Sequence, residues 1–234
     1  MTATAPDPAV VPSAEAAGVP EVPADVLAEL RLIWTPRPEP EGAGRAARHR
    51  LAEATRALIE AVHLVDPEGD ADTLGSVADE VSDLAARIAA LPGVKQRTRT
   101  FRDLALHERS PFLGAANPLA PPMEIWGDGQ LVRARAVFGA AYEGPEGRVH
   151  GGFVAAAFDE VLGAAQSGAG QLGMTGYLTV RMRRATPLDE EITYEAGVDR
   201  IEGRKAWATA RSYAGGKLAA DAEAVFISRP RDDS

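Results

Sequence analysis

Residues 148–166, RVHGGFVAAAFDEVLGAAQ, contain the side chains of this sequence whose types and spacing are best suited to chemistry. His150 precedes two glycines, and the apolar run that follows contains one adjacent pair of acids, Asp159 and Glu160. A positioned carboxylate can act as a general base or as a nucleophile. These two acids are therefore the first candidates for a catalytic group.

Two glycines stand where the helix after His150 is expected to begin. The first N–H groups of a helix have no partner within it, and Gly151 and Gly152 would leave them unobstructed. The helix dipole adds partial positive charge at the same end. The sequence therefore predicts a binding site for negative charge at this helix N-terminus.

The predicted helix is apolar on every side, from Phe153 and Val154 through Phe158 to Val161 and Leu162. A helix of this kind is buried on every side. In a domain this small, full burial requires an antiparallel sheet that curls around the helix, and the small helix residues would let the sheet come close.

Alternating patterns predict strands on both sides of the helix. MEIW and QLVRARAVF precede it and flank GDG, a hairpin turn signal. TGYLTVRMRRATP, EITYEAGVDRI, RKAWATARSY and KLAADAEAVFIS follow it, with EG and AGG as turns. The fold class is therefore α+β, and the short turns indicate that the last four strands form an antiparallel meander.

The N-terminal half has a helical period instead. Leu51, Leu58 and Val65 belong to one apolar stripe, and a second stripe runs from Leu74 to Leu91. DPEGD between them predicts a helical hairpin. Because two helices alone have too little core to be stable, their apolar stripe must pack on another part of the protein. We interpret it as a structural or oligomerising appendage, with a lid or partner-docking role as the alternative.

The chain is expected to divide into three parts. Residues 1–23 read as a disordered leader, 24–109 as a helical extension that starts with a short helix at 24–34, and 110–234 as the domain around the buried helix. The leader lacks the basic start and compact apolar core of a signal peptide. No run is long enough to span a bilayer. We expect a cytoplasmic protein, a location with which the absence of cysteine is compatible.

Composition excludes several classes of function. The net charge of −9 argues against a general nucleic-acid binder. The absence of cysteine excludes disulfides, a thiolate nucleophile and cysteine metal sites, and no metal site is expected. The sequence has no GxSxG motif, which argues against a serine hydrolase.

One motif and two spacings resemble those of a known family. The motif is VHGG, Asp159 follows His150 by nine residues, and Thr175 follows Asp159 by sixteen. They are similar to acyl-CoA thioesterases of the phenylacetate-pathway (PaaI-like) type, which have the hotdog fold. YEGPEGRVHGG and RRATPL fit the same pattern, and the resemblance covers about residues 110–228. It implies a curved antiparallel sheet wrapped around a central helix.

This resemblance implies the hydrolysis of an acyl thioester to a free acid and coenzyme A. The Gly151 N–H, helped by Gly152, would polarise the carbonyl. Asp159 would act as a general base on water or as a nucleophile, and Thr175 would orient the water or the carboxylate. Glu160, one residue further around the helix, is expected to be structural.

Other residues are candidates for substrate binding. His150 would shape the turn or touch the ligand. Asn117 would lie near the substrate, or it would form a plain Asx-Pro turn. Arg181 and Arg183 would bind coenzyme A phosphates, or they would belong to a solvated strand face.

The spacing of the two main candidate groups predicts an oligomer. Gly151 and Asp159 lie eight residues apart, which is about 12 Å along a helix. The carbonyl and its attacking water must each lie within roughly 3 Å of their groups. We therefore expect a site between two subunits of a homodimer, or of a dimer of dimers.

Two alternatives to hydrolysis stay open on the sequence. A hotdog dehydratase or hydratase would use His150 and a helix carboxylate on the carbon chain of the substrate. A non-catalytic acyl-CoA-binding protein would use neither group chemically. The carrier of the thioester, coenzyme A or an acyl carrier protein, is also open, and no cofactor is expected beyond coenzyme A as part of the substrate.

Overall fold

A computed structural model of the protein describes residues 42–93, 108–121, 123–127 and 131–228. The predicted leader, the short helix at 24–34 and most of the GDG turn lie outside these residues. The division of the chain near residue 110 stays a prediction.

The described chain folds into three α-helices, a short 3-10 turn and one antiparallel sheet of six strands. The helices are α1 (Ala43–His63), α2 (Ala71–Ala89) and α3 (Gly151–Gly168), and the 3-10 turn is Ala140–Tyr142. The strands are β1 (Glu124–Gly127), β2 (Leu131–Val137), β3 (Gly173–Met182), β4 (Glu191–Glu202), β5 (Lys205–Ala214) and β6 (Lys217–Ser228). The α+β hotdog prediction is confirmed, because α3 packs against this sheet.

The predicted meander of four strands is only partly correct. The sheet order is β1-β2-β4-β5-β6-β3, so β4, β5 and β6 form a meander while β3 pairs with β6 at the edge. The cause is the link of residues 183–190, which is too long for a tight turn. It crosses the start of α3, where the Val149 N–H donates to the Thr186 carbonyl at 2.9 Å.

Alanines line the sheet where it faces α3. Ala196, Ala210 and Ala222 form one row across β4, β5 and β6, and each is at most 3% exposed. Because these side chains are short, the helix can lie close to the sheet and still fill the space, as close packing requires. Phe158 of α3 supplies bulk beside them, edge-on to the Tyr194 ring at 5.6 Å.

The N-terminal part of α3 is not buried on all sides, contrary to the expectation. Gly151, Ala155, Asp159 and Gly163 recur at intervals of four residues, and none of them belongs to the buried set of the helix. This strip is made of small or polar residues, so exposing it leaves little apolar surface in water.

The two N-terminal helices form as predicted, but their apolar stripes do not pack. Within the described residues, Ala52 is the buried position of α1, whereas Leu51, Val62 and Val65 are exposed. No residue of α2 is buried. The helix α2 begins where the Asp70 carboxylate accepts from the Thr73 N–H at 2.8 Å, a cap that the turn residues supply.

The second acid of α3 contacts the segment that precedes β1. Ser110 donates to Glu160 Oε1 at 3.3 Å. Burial raises the pKa of Glu160 from its ordinary 4.5 to about 6, against the lowering effect of the Ser110 hydrogen bond and with a contribution from the Asp159 charge. Folding therefore shifts the protonation equilibrium of Glu160 toward its neutral form.

This pKa predicts how stability depends on pH. Glu160 binds its proton more tightly when folded, so its contribution to stability is present below pH 4.5 and is lost as the pH rises through about 6. Glu160→Gln, which stays neutral, should raise the free energy of unfolding by about 1–2 kcal/mol near pH 7.5 and by much less near pH 4.5. Urea unfolding at both pH values measures this, with the exposed Glu146→Gln as control. An equal effect at both pH values would contradict the assignment.

A second prediction concerns two tyrosines. The buried Tyr194 hydroxyl makes no hydrogen bond within the described residues, whereas the Tyr142 hydroxyl donates to the Leu119 carbonyl at 3.1 Å. Tyr194→Phe should leave stability unchanged or raise it by about 1 kcal/mol, and Tyr142→Phe should lower it by about 1 kcal/mol. Denaturant midpoints compare the two variants. A large loss in Tyr194→Phe would mean that its hydroxyl has a partner.

Candidate active site

The start of α3 is capped by the side chain of His150. Its backbone is extended, with φ −59° and ψ 133°, and its Nδ1 accepts from the Gly152 N–H at 3.0 Å. The expectation of two free donors is therefore wrong for Gly152. The Gly151 N–H has no partner in the described part of the chain and points out of the helix end as a single donor.

A tight loop sets the position of this cap. The Arg148 N–H donates to the Pro145 carbonyl at 2.9 Å, and Gly147 adopts φ 69°, a left-handed conformation that glycine adopts without strain. The His150 N–H then donates to the Tyr142 carbonyl at 2.9 Å. The loop of residues 145–147 thus places His150 at the position where the helix begins.

Asp159 and Thr175 are brought together as predicted. The Thr175 hydroxyl donates to Asp159 Oδ1 at 2.7 Å. The register of β3 with β6 shifts between Thr175 and Tyr177, which is a β-bulge, and bulges redirect side chains. Asp159 lies on the open strip of α3, so the carboxylate has one fixed partner and an accessible side.

The two adjacent acids of α3 face different surroundings. Asp159 lies on the open strip beside Thr175, whereas Glu160 turns toward Ser110 and the segment before β1. Neighbouring residues on a helix point about 100° apart, which accounts for this separation. Of the two, only Asp159 is accessible from the side where Gly151 lies.

The described residues leave space over the open strip at two of its glycines. A Cβ added at Gly163 would meet no atom within 4 Å, and one added at Gly151 would meet only Met182 Cε, at 3.7 Å. Met174 and Tyr177 on the neighbouring β3 are also exposed. Thr175 is the residue of this edge strand that reaches the strip, since it contacts Asp159.

The side chain of Asn117 forms hydrogen bonds within its own loop. Its Oδ1 accepts from the Leu119 N–H at 3.0 Å, and its Nδ2 donates to the carbonyls of Arg109 and Ser110 at 3.2 Å. The Asx-Pro turn is therefore the conformation observed. A contact with substrate stays a prediction.

Arg181, on the outer face of β3, and Arg183, the first residue after that strand, pair with acids of β6. Arg181 is 3.0 Å from Glu223, and Arg183 donates to Asp221. This is the solvated strand face that was the alternative to phosphate binding. An incoming phosphate would have to compete with these carboxylates, and the contact with coenzyme A stays a prediction.

Two contacts of the site were missed by the sequence analysis. Tyr142 holds His150 through a backbone carbonyl, which no residue type signals. Ser110 donates a hydrogen bond to Glu160, which no motif of the sequence signals. Among the described residues there is no cluster of three metal-ligating side chains, and no helix is long and apolar enough to cross a membrane.

Similarity to known proteins agrees with the fold and with the motif. No family model matches the chain. An acyl-coenzyme A thioesterase of Xenopus laevis, THEM4, is 35% identical over 91 residues, which are 38% of this chain and 41% of the frog protein. The chain thus spans about two fifths of the length of that curated relative.

A solved structure matches a much larger share of this chain than the frog relative does. The crystal structure of a thioesterase superfamily protein is 31% identical to this chain with a TM-score of 0.70, and the match covers 82% of this chain and 94% of that one. The PaaI-like subgroup stays a prediction. Because the identity extends over nearly the whole of that solved chain, this protein belongs to the thioesterase superfamily.

Proposed function

We propose that this protein hydrolyses acyl-coenzyme A thioesters to a free acid and coenzyme A. The observation that carries the proposal is the Asp159 carboxylate, held by Thr175 at 2.7 Å on the open strip of a helix whose first N–H has no partner among the described residues. The frog relative is named an acyl-coenzyme A thioesterase, which supports this class of substrate.

The Gly151 N–H would stabilise the transition state. When a thioester carbonyl is attacked, its oxygen gains negative charge, and a fixed donor at a helix N-terminus favours that charge. Such a donor contributes roughly 3 kcal/mol to transition-state stabilisation. His150 holds Gly152 and leaves the Gly151 donor in place, so its role is to shape the turn.

Asp159 would activate the nucleophile. Thr175 donates to Oδ1, so Oδ2 can accept a proton from water as the water oxygen bonds to the carbonyl carbon. The C–S bond then breaks and coenzyme A leaves as its thiolate. In the alternative route, Asp159 itself attacks and water hydrolyses the mixed anhydride. The proposed reaction requires no cofactor.

The site would be completed by a second subunit. Gly151 and Asp159 of one helix are about 12 Å apart, too far to act on one thioester. Two antiparallel α3 helices would place the first residue of one beside the middle of the other. The small residues of the strip support this arrangement, because a second helix could come close to them.

A substrate panel tests the proposed activity. Acyl-coenzyme A esters from short to long chain, together with aryl-acetyl esters, are incubated with the protein, and the free thiol is measured. Hydrolysis releases thiol in step with acid. A dehydratase would change the carbon chain without thiol release, and a binding protein would protect the ester. Release at the uncatalysed rate from every ester would refute the proposal.

Asp159→Asn should fold normally and lose hydrolysis by about two to four orders of magnitude, because the shape stays while the base is lost. Steady-state kinetics measure the loss, and circular dichroism checks the fold. Glu160→Gln is the matched control on the neighbouring residue and should keep its activity. An active Asp159→Asn beside an inactive Glu160→Gln would reverse the roles of the two acids.

Complementation tests the dimeric site. Gly151→Pro removes the donor, and the backbone of His150 is already extended as a residue before proline requires. Gly151→Pro and Asp159→Asn should each be inactive alone. Refolded together they should recover up to one active site per mixed dimer, because one site then receives both intact groups.

Native mass spectrometry verifies that mixed dimers have formed before activity is measured. Background activity from a verified mixture would exclude the shared site. A wild-type protein that is active as a monomer would exclude it as well.

A further inference from the structure

A polar face of α1 docks on the rest of the chain. The face consists of residues at intervals of three and four: Arg45, His49, Ala52, Arg56 and Glu60. Its first two members contact the Glu108 carboxylate at 3.1 and 3.0 Å. Arg56 donates to the Asn117 carbonyl at 2.9 Å. Ala52 is buried within this face, whereas Leu51 and Val62 on other sides of the helix are exposed. The polar contacts around Ala52 therefore orient the helix on the rest of the chain.

Glu60 is the last member of this face, and it reaches the 3-10 turn. Its carboxylate accepts from the Ala140 N–H and, at 3.1 Å, from the Ala141 N–H. These are the first N–H groups of the turn, which have no partner within it. Hydrogen bonds to a charged acceptor are stronger than neutral ones. Glu60 therefore holds the turn through two backbone atoms.

Gly139 makes this contact possible. A Cβ at Gly139 would collide with the Glu60 carboxylate, and the three atoms nearest to that position all belong to Glu60. The backbone of Gly139 has φ −83°, which any residue can adopt. Its lack of a side chain thus matters only for the approach of Glu60.

The turn leads directly to the start of α3. The Tyr142 carbonyl accepts from the His150 N–H at 2.9 Å, and the Tyr142 ring lies edge-on to Phe153 at 5.1 Å. Gly144 packs so tightly that a Cβ there would be 2.7 Å from His150 Cα. A shift of the turn would therefore move His150, and with it the adjacent Gly151 N–H.

We infer that Glu60 is a positioning residue for the Gly151 donor, so that the N-terminal helix is part of the active-site scaffold. The inference rests on the proposed function for its kinetic consequence. Glu60 does not touch the substrate. It acts through the turn of residues 140–142 and through His150, and it places the donor where the carbonyl oxygen gains charge.

Kinetics of Glu60→Ala and Gly139→Ala test the inference. Gly139→Ala leaves the carboxylate intact but pushes it off the turn, so both variants should lower kcat by roughly tenfold or more. KM should change little, because the donor acts mainly in the transition state. The control is Glu53→Ala, an exposed glutamate on the same helix, which should match the wild type.

The double variant separates this role from general destabilisation. Once Glu60 is alanine, a Cβ at Gly139 meets nothing from that residue, so the double variant should be no slower than Glu60→Ala alone. If the two substitutions damaged the structure independently, the losses of kcat of the two single variants would multiply in the double variant. A multiplied loss, or a Glu60→Ala variant with wild-type kcat, would overturn the inference.

Hydrogen exchange gives a readout that does not need activity. Glu60→Ala should speed exchange of the backbone amides in residues 139–152 and leave those of β4 to β6 unchanged. Unchanged exchange in residues 139–152 would overturn the positioning role even if every variant were inactive. A wild type without thioester hydrolysis would refute the proposed function alone, since the exchange result still decides the role of Glu60.

Discussion

The close approach of α3 to the sheet is the constraint on which the rest of the structure depends. It requires short side chains on both partners, and the alanine row Ala196, Ala210 and Ala222 supplies them on the sheet. A helix held this closely cannot move or rotate without opening a cavity or creating a clash. Its rigid placement decides which residues form the open strip and where its first N–H group points.

The same placement separates the chemistry of two neighbouring acids. Asp159 stays on the open strip with a hydroxyl donor, whereas Glu160 is half-buried against Ser110 and has its pKa raised to about 6. A rotation of the helix by one residue would exchange the two environments. The packing of the apolar residues of α3 therefore determines which surroundings each carboxylate has.

The N-terminal helices illustrate that polar contacts can decide how an element docks. The attachment of α1 uses ion pairs and hydrogen bonds to Glu108, Asn117 and the 3-10 turn. Leu51 and Val62 of α1 and most of the apolar residues of α2 stay exposed within the described chain. Such contacts are directional, and they can hold a loop in one position where apolar packing would tolerate several.

Periodicity determined most of the elements of this protein. The apolar run around Asp159 indicated the central helix, and the alternating segments indicated all six strands, because these patterns are local properties of the chain. The VHGG spacing further indicated Asp159 and Thr175, which the fold brings within 2.7 Å. That pairing was predictable because it depended on a family resemblance and on few residues.

Only the tertiary structure decided the rest. The edge position of β3 depends on where the link of residues 183–190 crosses, and periodicity carries no such information. The capture of the Gly152 N–H by His150 depends on one rotamer. The docking of α1 through its polar side depends on which backbone groups of the distant turn lack partners. All three are contacts between residues whose types are compatible with several arrangements, and the packed chain selects one.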